Sequence, residues 1–277
     1  MASLAAKPKY DPFIQCRQRY AAVLRDAFHQ EPFLSVTDWA AENRYLTGAE
    51  SGRYNPDRCP YQRAIQDCFN DPEVREVTWQ SAERVGKSTV GANILGYIID
   101  KEPSNLLWTM PSREAVADFL KDEIEPMLRA SPTLLKKISA GRTSIGRTNN
   151  IRRKTFLGGT ATFVGGGSAS PLAFRTVRVV VLDEIDKLKN LRGEGDADAL
   201  ATKRVSTFGT DFKIFRFSKP TVEGESRIKR GLNTLTWNNT RCEARGFWSL
   251  SNSAVLGLTS GLRVSIATPG FTFLLAY

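Results

Sequence analysis

Apolar positions along this chain switch repeatedly between a period of two and a period near 3.6, the mark of strands alternating with helices. Residues 73–80 alternate, with Val77 and Trp79 on one face of a predicted strand. Residues 89–100 then carry Val90, Ile94, Leu95 and Ile98 at helical spacing. A second apolar run, residues 105–110, is closed by Pro111. Ser112 suits an N-cap and Glu114 a first turn, opening a helix to about Ala130 through Val116, Phe119, Leu120, Ile124 and Leu128. Short strands are predicted at 155–157 and 161–164, a glycine turn at 165–167, a buried strand at 177–182, a helix at 197–207 and a strand at 213–218.

Upstream, residues 1–34 predict a helical segment with Tyr20, Val23, Leu24, Ala27 and Phe28 at helical spacing. Residues 35–58 contain Gly48, Gly52 and Pro56 and read mainly as loop, after which Pro60 opens a short helix to about Asn70. The alternation implies an α/β fold: a mostly parallel sheet with helices on both faces. Residues 35–232 are expected to form that domain. Residues 233–277 carry only Arg241, Glu243, Arg245 and Arg263 as charges, so this tail is expected to be either a frameshifted or truncated end or a β-rich extension.

Composition adds one thing. Hydrophobic and charged fractions of 41% and 25% are ordinary for a globular chain of 277 residues, but 39 Lys+Arg against 29 Asp+Glu leave a net charge of +10. A basic surface favours a polyanionic partner, and nucleic acid is the commonest. The stretch from 136 to 154 concentrates that charge in Lys136, Lys137, Arg142, Arg147, Arg152, Arg153 and Lys154, a candidate contact with DNA phosphates or a solvated loop. Cys16, Cys59, Cys68 and Cys242 lack metal-ligand spacing and His29 is the single histidine, which argues against a structural zinc site. Without a signal-like start or a long apolar run, a cytoplasmic protein with no membrane association is expected.

Two motifs carry chemistry. Between the first strand and its helix lies Ser81-Ala82-Glu83-Arg84-Val85-Gly86-Lys87-Ser88-Thr89, which ends in the Gly-Lys-Ser of a phosphate-binding loop. Backbone N–H groups at a helix start cradle phosphates, Lys87 can reach the β- and γ-oxygens, and the Ser88 hydroxyl can ligate Mg2+. Ser81 stands where the standard pattern has glycine. Four apolar residues then end in Asp183-Glu184 at a strand terminus: Asp183 suits a metal ion, and Glu184 suits the attacking water of ATP or GTP hydrolysis. Arg84 is a candidate γ-phosphate contact, Ser218 and Thr221 a candidate sensor of that phosphate, and Tyr61 with Gln62 a candidate adenine contact; each also fits a plain surface or turn role.

These residues resemble a known family. Pro60-Tyr61-Gln62, the 81–89 loop, Pro111, and the Gly-Ser-Ala-Ser-Pro-Leu-Ala-Phe-Arg of residues 167–175 ahead of Asp183-Glu184-Ile185-Asp186 look like the large terminase subunit of lambda-type tailed bacteriophages, the GpA family, over roughly residues 35–231. The resemblance implies a RecA-like ASCE core using ATP and Mg2+. It implies a motor that translocates double-stranded DNA into a procapsid, as a homo-oligomer when packaging, working with a small terminase subunit and the portal. It assigns Lys87 and Ser88 to the phosphate loop, Arg84 to its arginine, Asp183 and Glu184 to metal and catalysis, and 218–221 to coupling. The family's nuclease domain is not expected here, because the tail lacks the carboxylate cluster of a two-metal nuclease. A truncated prophage remnant that only binds nucleotide or DNA, and a helicase-like translocase, are the alternative readings.

Overall fold

Five parallel strands form the centre of the sheet, and the order in which they lie decides where the site can be. The computed structural model describes Tyr20 and residues 33–47, 51–144, 152–165, 176–188, 196–221, 226–229, 263–268 and 271–276. The chain separates into two compact units, Met1–Leu34 and Ser35–Tyr277, and all elements named below belong to the second. The predicted helical positions Val23, Leu24, Ala27 and Phe28, the 167–175 segment, the side chains of Arg142 and Arg147, and residues 233–262 lie outside the described residues.

The elements are α1 (Val36–Asn43), β1 (Tyr45–Leu46), β2 (Gly52–Arg53), α2 (Tyr61–Asp67), β3 (Glu76–Gln80), α3 (Lys87–Asp100), β4 (Leu106–Met110), α4 (Arg113–Phe119), α5 (Glu125–Ala130), α6 (Pro132–Ser144), β5 (Arg153–Phe156), β6 (Gly159–Gly165), β7 (Val179–Asp183), α7 (Ala197–Thr202), β8 (Lys213–Ser218), β9 (Arg263–Thr268) and β10 (Phe271–Ala276). A π-turn at Leu120–Ile124 joins α4 to α5. Strand order across the large sheet is β10-β9-β3-β8-β7-β4-β6-β5. The pairs β3–β8, β8–β7, β7–β4 and β4–β6 are parallel, whereas β5, β9 and β10 join antiparallel at the edges. This is the expected mostly parallel α/β sheet. The strand ending in Ser218 lies between the one that leads into the 81–89 loop and the one that ends in Asp183, the order of a RecA-like ASCE core.

Both faces are covered. On one, Leu107, Val164, Val180, Leu182 and Ile214 pack with Ala201 of α7, Val205 and Ile228. On the other lies an aromatic layer: ring centroids are 5.7 Å apart for Trp79–Phe217, 5.9 Å for Trp108–Phe163 and 4.9 Å for Trp108–Phe119. Each large apolar side chain removed from water contributes about 1.5–3 kcal/mol. Helix α3 is buried almost all round, from Val90 to Ile99. A Cβ on Gly91 would come within 2.4 Å of the Trp108 indole, and one on Gly96 within 2.2 Å of Trp39. Only glycine lets the two indoles lie this close to the helix backbone.

Three expectations change. Residues 35–58 are not mainly loop: they contain α1 and the β1–β2 hairpin. Ser35 Oγ accepts from Asp38 N at 3.1 Å, and Asn70 and Asp67 accept from Val36 N and Thr37 N at 2.8 Å, so partners far along the chain hold this helix start. Secondly, α6 runs through the first part of the basic stretch, and two of its cations are spoken for: Lys137 pairs with Asp100 at 3.3 Å and Lys154 with Glu125 at 2.9 Å. Thirdly, β3 carries Val77 and Trp79 on one face as predicted, and its other face is covered as well: Thr78 is buried there beside Arg216 of β8, its ladder partner. Among the described residues no helix is long and apolar enough to cross a membrane.

Candidate active site

Register brings the chemistry to one edge of the sheet. Gln80, the last residue of β3, lies opposite Ser218, and Asp183 lies opposite Phe217, so three parallel strands end level with one another. Ligands of open α/β sheets bind beyond such carboxyl ends. The loop begins at Ser81, whose N–H donates to the Ser218 carbonyl at 3.1 Å. It finishes at Gly86, in the left-handed region at φ 81°, which serves as N-cap of α3. The first-turn N–H groups of α3 therefore face the site with the positive end of the helix dipole behind them.

A cavity of about 530 Å³ opens there, lined by Glu83 to Thr89, Asp183 and Glu184, and also by Tyr54, Arg58, Tyr61, Gln62 and Glu123. Sequence reasoning places Lys87, Ser88, Thr89, Gly86, Arg84, Asp183, Glu184, Tyr61 and Gln62 at a site, and all of them line this one cavity. Ser81, Ser218 and Thr221 do not line it. Ser81 is buried beneath the loop, its hydroxyl without a protein hydrogen-bond partner, and Ser218 is buried at the end of β8.

Electrostatics follow from burial. The Asp183 carboxyl is almost entirely removed from water, and that desolvation, with the neighbouring Glu184 charge, raises it to about 7 against the pull of Lys87. Lys87 is buried too; desolvation lowers its ammonium, while Glu184, Asp183 and Glu83 oppose the shift. Its Nζ donates to the Ala82 carbonyl at 2.5 Å. Glu184 pairs with Lys187 at 2.8 Å, and Glu83 pairs with Lys219, just beyond β8, at 3.1 Å.

Two non-glycine residues adopt positive φ among the described residues, Arg84 at 59° and Glu184 at 56°. Such backbone costs about 1–3 kcal/mol and persists where its surroundings over-determine it. Both lie in the cavity lining. Arg84 is exposed and forms no ion pair among the described residues, so its guanidinium is available to an anion.

Tyr61 and Gln62 do something the sequence does not reveal. The Tyr61 hydroxyl and Gln62 Nε2 both donate to the Val85 carbonyl at 3.0 Å, fixing the crown of the loop. Burial, reinforced by Cys59, pushes the Tyr61 phenol up to about 12, so it stays a donor at neutral pH. Behind them runs a buried polar relay. Tyr54 OH donates to Gln62 Oε1 at 3.2 Å, Gln66 Nε2 to Thr37 Oγ1 at 2.7 Å, Asn93 Nδ2 to Gln66 Oε1 at 3.0 Å and Arg44 Nε to Asn93 Oδ1 at 3.2 Å. Burial lowers the Arg44 guanidinium to about 10. The signal that could have found this relay is Asn93, a lone amide inside an otherwise apolar helix face.

The donor set fits a magnesium nucleotide. Mg2+ is typically held by one or two protein oxygens together with phosphates and water. Ser88 and Asp183 line the cavity as such a pair, and no group of three or more His, Cys, Asp or Glu able to hold a metal by itself occurs among the described residues.

Comparison with known proteins gives a consistent result. Residues 48–236 match the family model described as phage terminase large subunit gpA, ATPase domain. The chain is 30% identical over 215 residues to the terminase large subunit of Escherichia phage lambda, covering 76% of this chain and 33% of that protein. It is 29% identical over 207 residues to the terminase large subunit of Enterobacteria phage P21, covering 72% of this chain and 31% of that one. The chain thus spans about a third of the length of these relatives. Among solved structures, the large terminase ATPase domain of Thermus phage P74-26 aligns with a TM-score of 0.39 at 13% identity, covering 57% of this chain and 65% of the other. With the family model matching more than half of its length, the chain belongs to the gpA family of phage terminase large subunits and carries that family's ATPase domain.

Proposed function

We propose that this chain hydrolyses ATP with Mg2+ at the cavity between the 81–89 loop and the end of β7, and uses the energy to translocate double-stranded DNA into a procapsid. The observation that carries the reading is convergence: Lys87, Ser88, Asp183 and Glu184, far apart in sequence, line one cavity of nucleotide size.

The roles follow from placement. Backbone N–H groups at the start of α3 and the Lys87 ammonium bind the β- and γ-phosphates, for which Lys87 exchanges its contact with the Ala82 carbonyl. Ser88 and Asp183 would hold Mg2+, which when bound neutralises developing phosphate charge. Glu184 orients and polarises the attacking water, and Arg84 meets charge on the γ-phosphate. Ser81 supports the loop from below through the Ser218 carbonyl, and Ser218 to Thr221 sense the state of the site from the end of β8. Tyr61 and Gln62 border the end of the cavity suited to adenine while bracing Val85.

The net charge of +10 supports a DNA partner. Membership of a terminase large-subunit family is the support for packaging partners, which we propose to be a small terminase subunit, a portal and further copies of the chain. The unit Ser35–Tyr277 holds this ATPase, and Met1–Leu34 is a separate unit.

The test is ATP turnover with and without double-stranded DNA. Glu184→Ala is expected to bind ATP as the parent does and to lose at least about 100-fold in turnover, since the phosphate cradle is untouched. Lys87→Ala is expected to weaken binding itself. Parent-like turnover in Glu184→Ala rejects its role, and parent-like nucleotide affinity in Lys87→Ala rejects the loop assignment.

A further inference from the structure

The turn that follows Glu184 is held by an unusual number of contacts, and they meet at one side chain. Asp186 Oδ2 accepts from Thr221 N at 3.0 Å and from Thr221 Oγ1 at 3.3 Å. Its Oδ1 accepts from Ile228 N at 2.8 Å, and its own N–H donates to Ser218 Oγ at 3.3 Å. Two segments that come later in the chain, 218–221 and 226–229, are thereby tied to the residue two places beyond Glu184. Arg227 tightens the same turn: its Nη1 donates to the Ile185 carbonyl at 3.1 Å and also to the Leu188 carbonyl. Ile185 and Ile228 are both fully buried, so the turn is anchored from below as well.

The need for such a clasp is visible in the backbone. Glu184 sits at φ 56°, a conformation that costs a residue with a side chain about 1–2 kcal/mol. A strained residue keeps that conformation when neighbours on both sides leave it no alternative. Upstream, β7 fixes Asp183 by strand pairing. Downstream, the 185–188 turn makes few contacts of its own: Lys187 N donates to the Glu184 carbonyl at 2.9 Å, Leu188 N donates to the Ile185 carbonyl at 3.2 Å, and the exposed Lys187 ammonium pairs with the Glu184 carboxylate at 2.8 Å. The ties from this turn to the rest of the fold come from buried Ile185, Asp186 and Arg227.

We infer that Asp186 is a positioning residue for Glu184: its carboxylate clasps Thr221 and Ile228 so that the turn holds Glu184 at the cavity, and it makes that hold depend on the segment that follows β8. The inference rests on the proposed ATPase reading of the site. Asp186 does not line the cavity, so it acts through Glu184 and not on the nucleotide.

The experiment compares the parent chain with Asp186→Ala, Asp186→Asn and Thr221→Val, using steady-state ATP hydrolysis, binding of a fluorescent ATP analogue, and amide hydrogen exchange. Asp186→Ala is expected to lower kcat by about 10- to 100-fold while KM and analogue affinity stay within about twofold, because a small misplacement of a water-positioning group costs rate and not binding. Asp186→Asn keeps one acceptor oxygen and loses less. Thr221→Val loses less again, and adding it to Asp186→Ala costs nothing further in kcat, since both remove the same contact. Amides of 184–188, Thr221 and Ile228 exchange faster in Asp186→Ala, with β3 and α3 unchanged. Asn and Val variants serve where the Ala variant does not fold.

An unchanged kcat, a KM rise at constant kcat, or additive losses in the double variant overturns the inference. So does unchanged exchange in the 184–188 turn. If the parent chain does not hydrolyse ATP, the enzymatic reading falls, while the exchange comparison still decides whether Asp186 holds the turn.

Discussion

Replacing Gly86 by alanine isolates what the loop crown demands. Gly86 has φ 81°, which costs a residue with a side chain about 1–2 kcal/mol. The added Cβ would also lie 2.2 Å from Gln62 Nε2, well inside contact distance. Gln62 cannot simply swing away: it is 4% exposed and is held by Val85 O on one side and Tyr54 OH on the other. Displacing it forfeits two hydrogen bonds at about 1 kcal/mol each, for a total with the backbone cost of about 3–4 kcal/mol. The strain falls on the loop and not on the sheet, so it is expressed in nucleotide affinity as a loss of roughly 150- to 850-fold. Titration with a fluorescent ATP analogue measures it. In a cycle with Gln62→Ala, the double variant should add only the backbone cost of about 1–2 kcal/mol to the loss from Gln62→Ala alone. Affinity within twofold of the parent for Gly86→Ala, or strictly additive losses in the double variant, refutes the reasoning.

Other outcomes follow from buried charge. Arg216 joins β3, β8 and α7 by pairing with Glu76 at 2.6 Å and Asp198 at 3.1 Å and donating to Thr202 Oγ1 at 3.2 Å. Arg216→Met leaves both partly exposed carboxylates unpaired and should lower unfolding free energy by about 2–4 kcal/mol in urea titration, below the cost of a fully buried pair; a loss under about 0.5 kcal/mol contradicts this. Asp183, raised to about 7 from an ordinary value near 3.8, binds its proton more tightly folded than unfolded. Its contribution to stability is therefore complete below about pH 4 and is lost as pH rises through about 7. Melting temperatures of metal-free protein should show a fall over that window that Asp183→Asn removes, and an identical fall in the variant assigns it elsewhere.

Strand and helix positions from 73 to 110 and from 177 to 218 were legible because pattern, caps and turn residues agree locally, as at Pro111-Ser112-Glu114. The phosphate loop and the acidic pair were legible because their chemistry is written in adjacent residues. Helix α1 was not, since its first N–H groups find acceptors on Asp67 and Asn70, some thirty residues on. The bracing by Tyr61 and Gln62 was hidden for the same reason: a hydrogen bond to the Val85 carbonyl depends on folding, not on spacing. Asp186 was in view within its motif, but its partners lie more than thirty residues further along the chain, beyond what any local pattern records.

Helix α3 has an indole seated in each of two glycine notches, Trp108 over Gly91 and Trp39 over Gly96. A rod keyed in this way on two sides can neither slide along its axis nor roll without expelling a tryptophan from its slot. It behaves as a fixed anvil. Whatever travel accompanies filling and emptying of the site must then be taken up by the parts that surround it: the crown at 82–85 and the strand ends at 184–188 and 218–221.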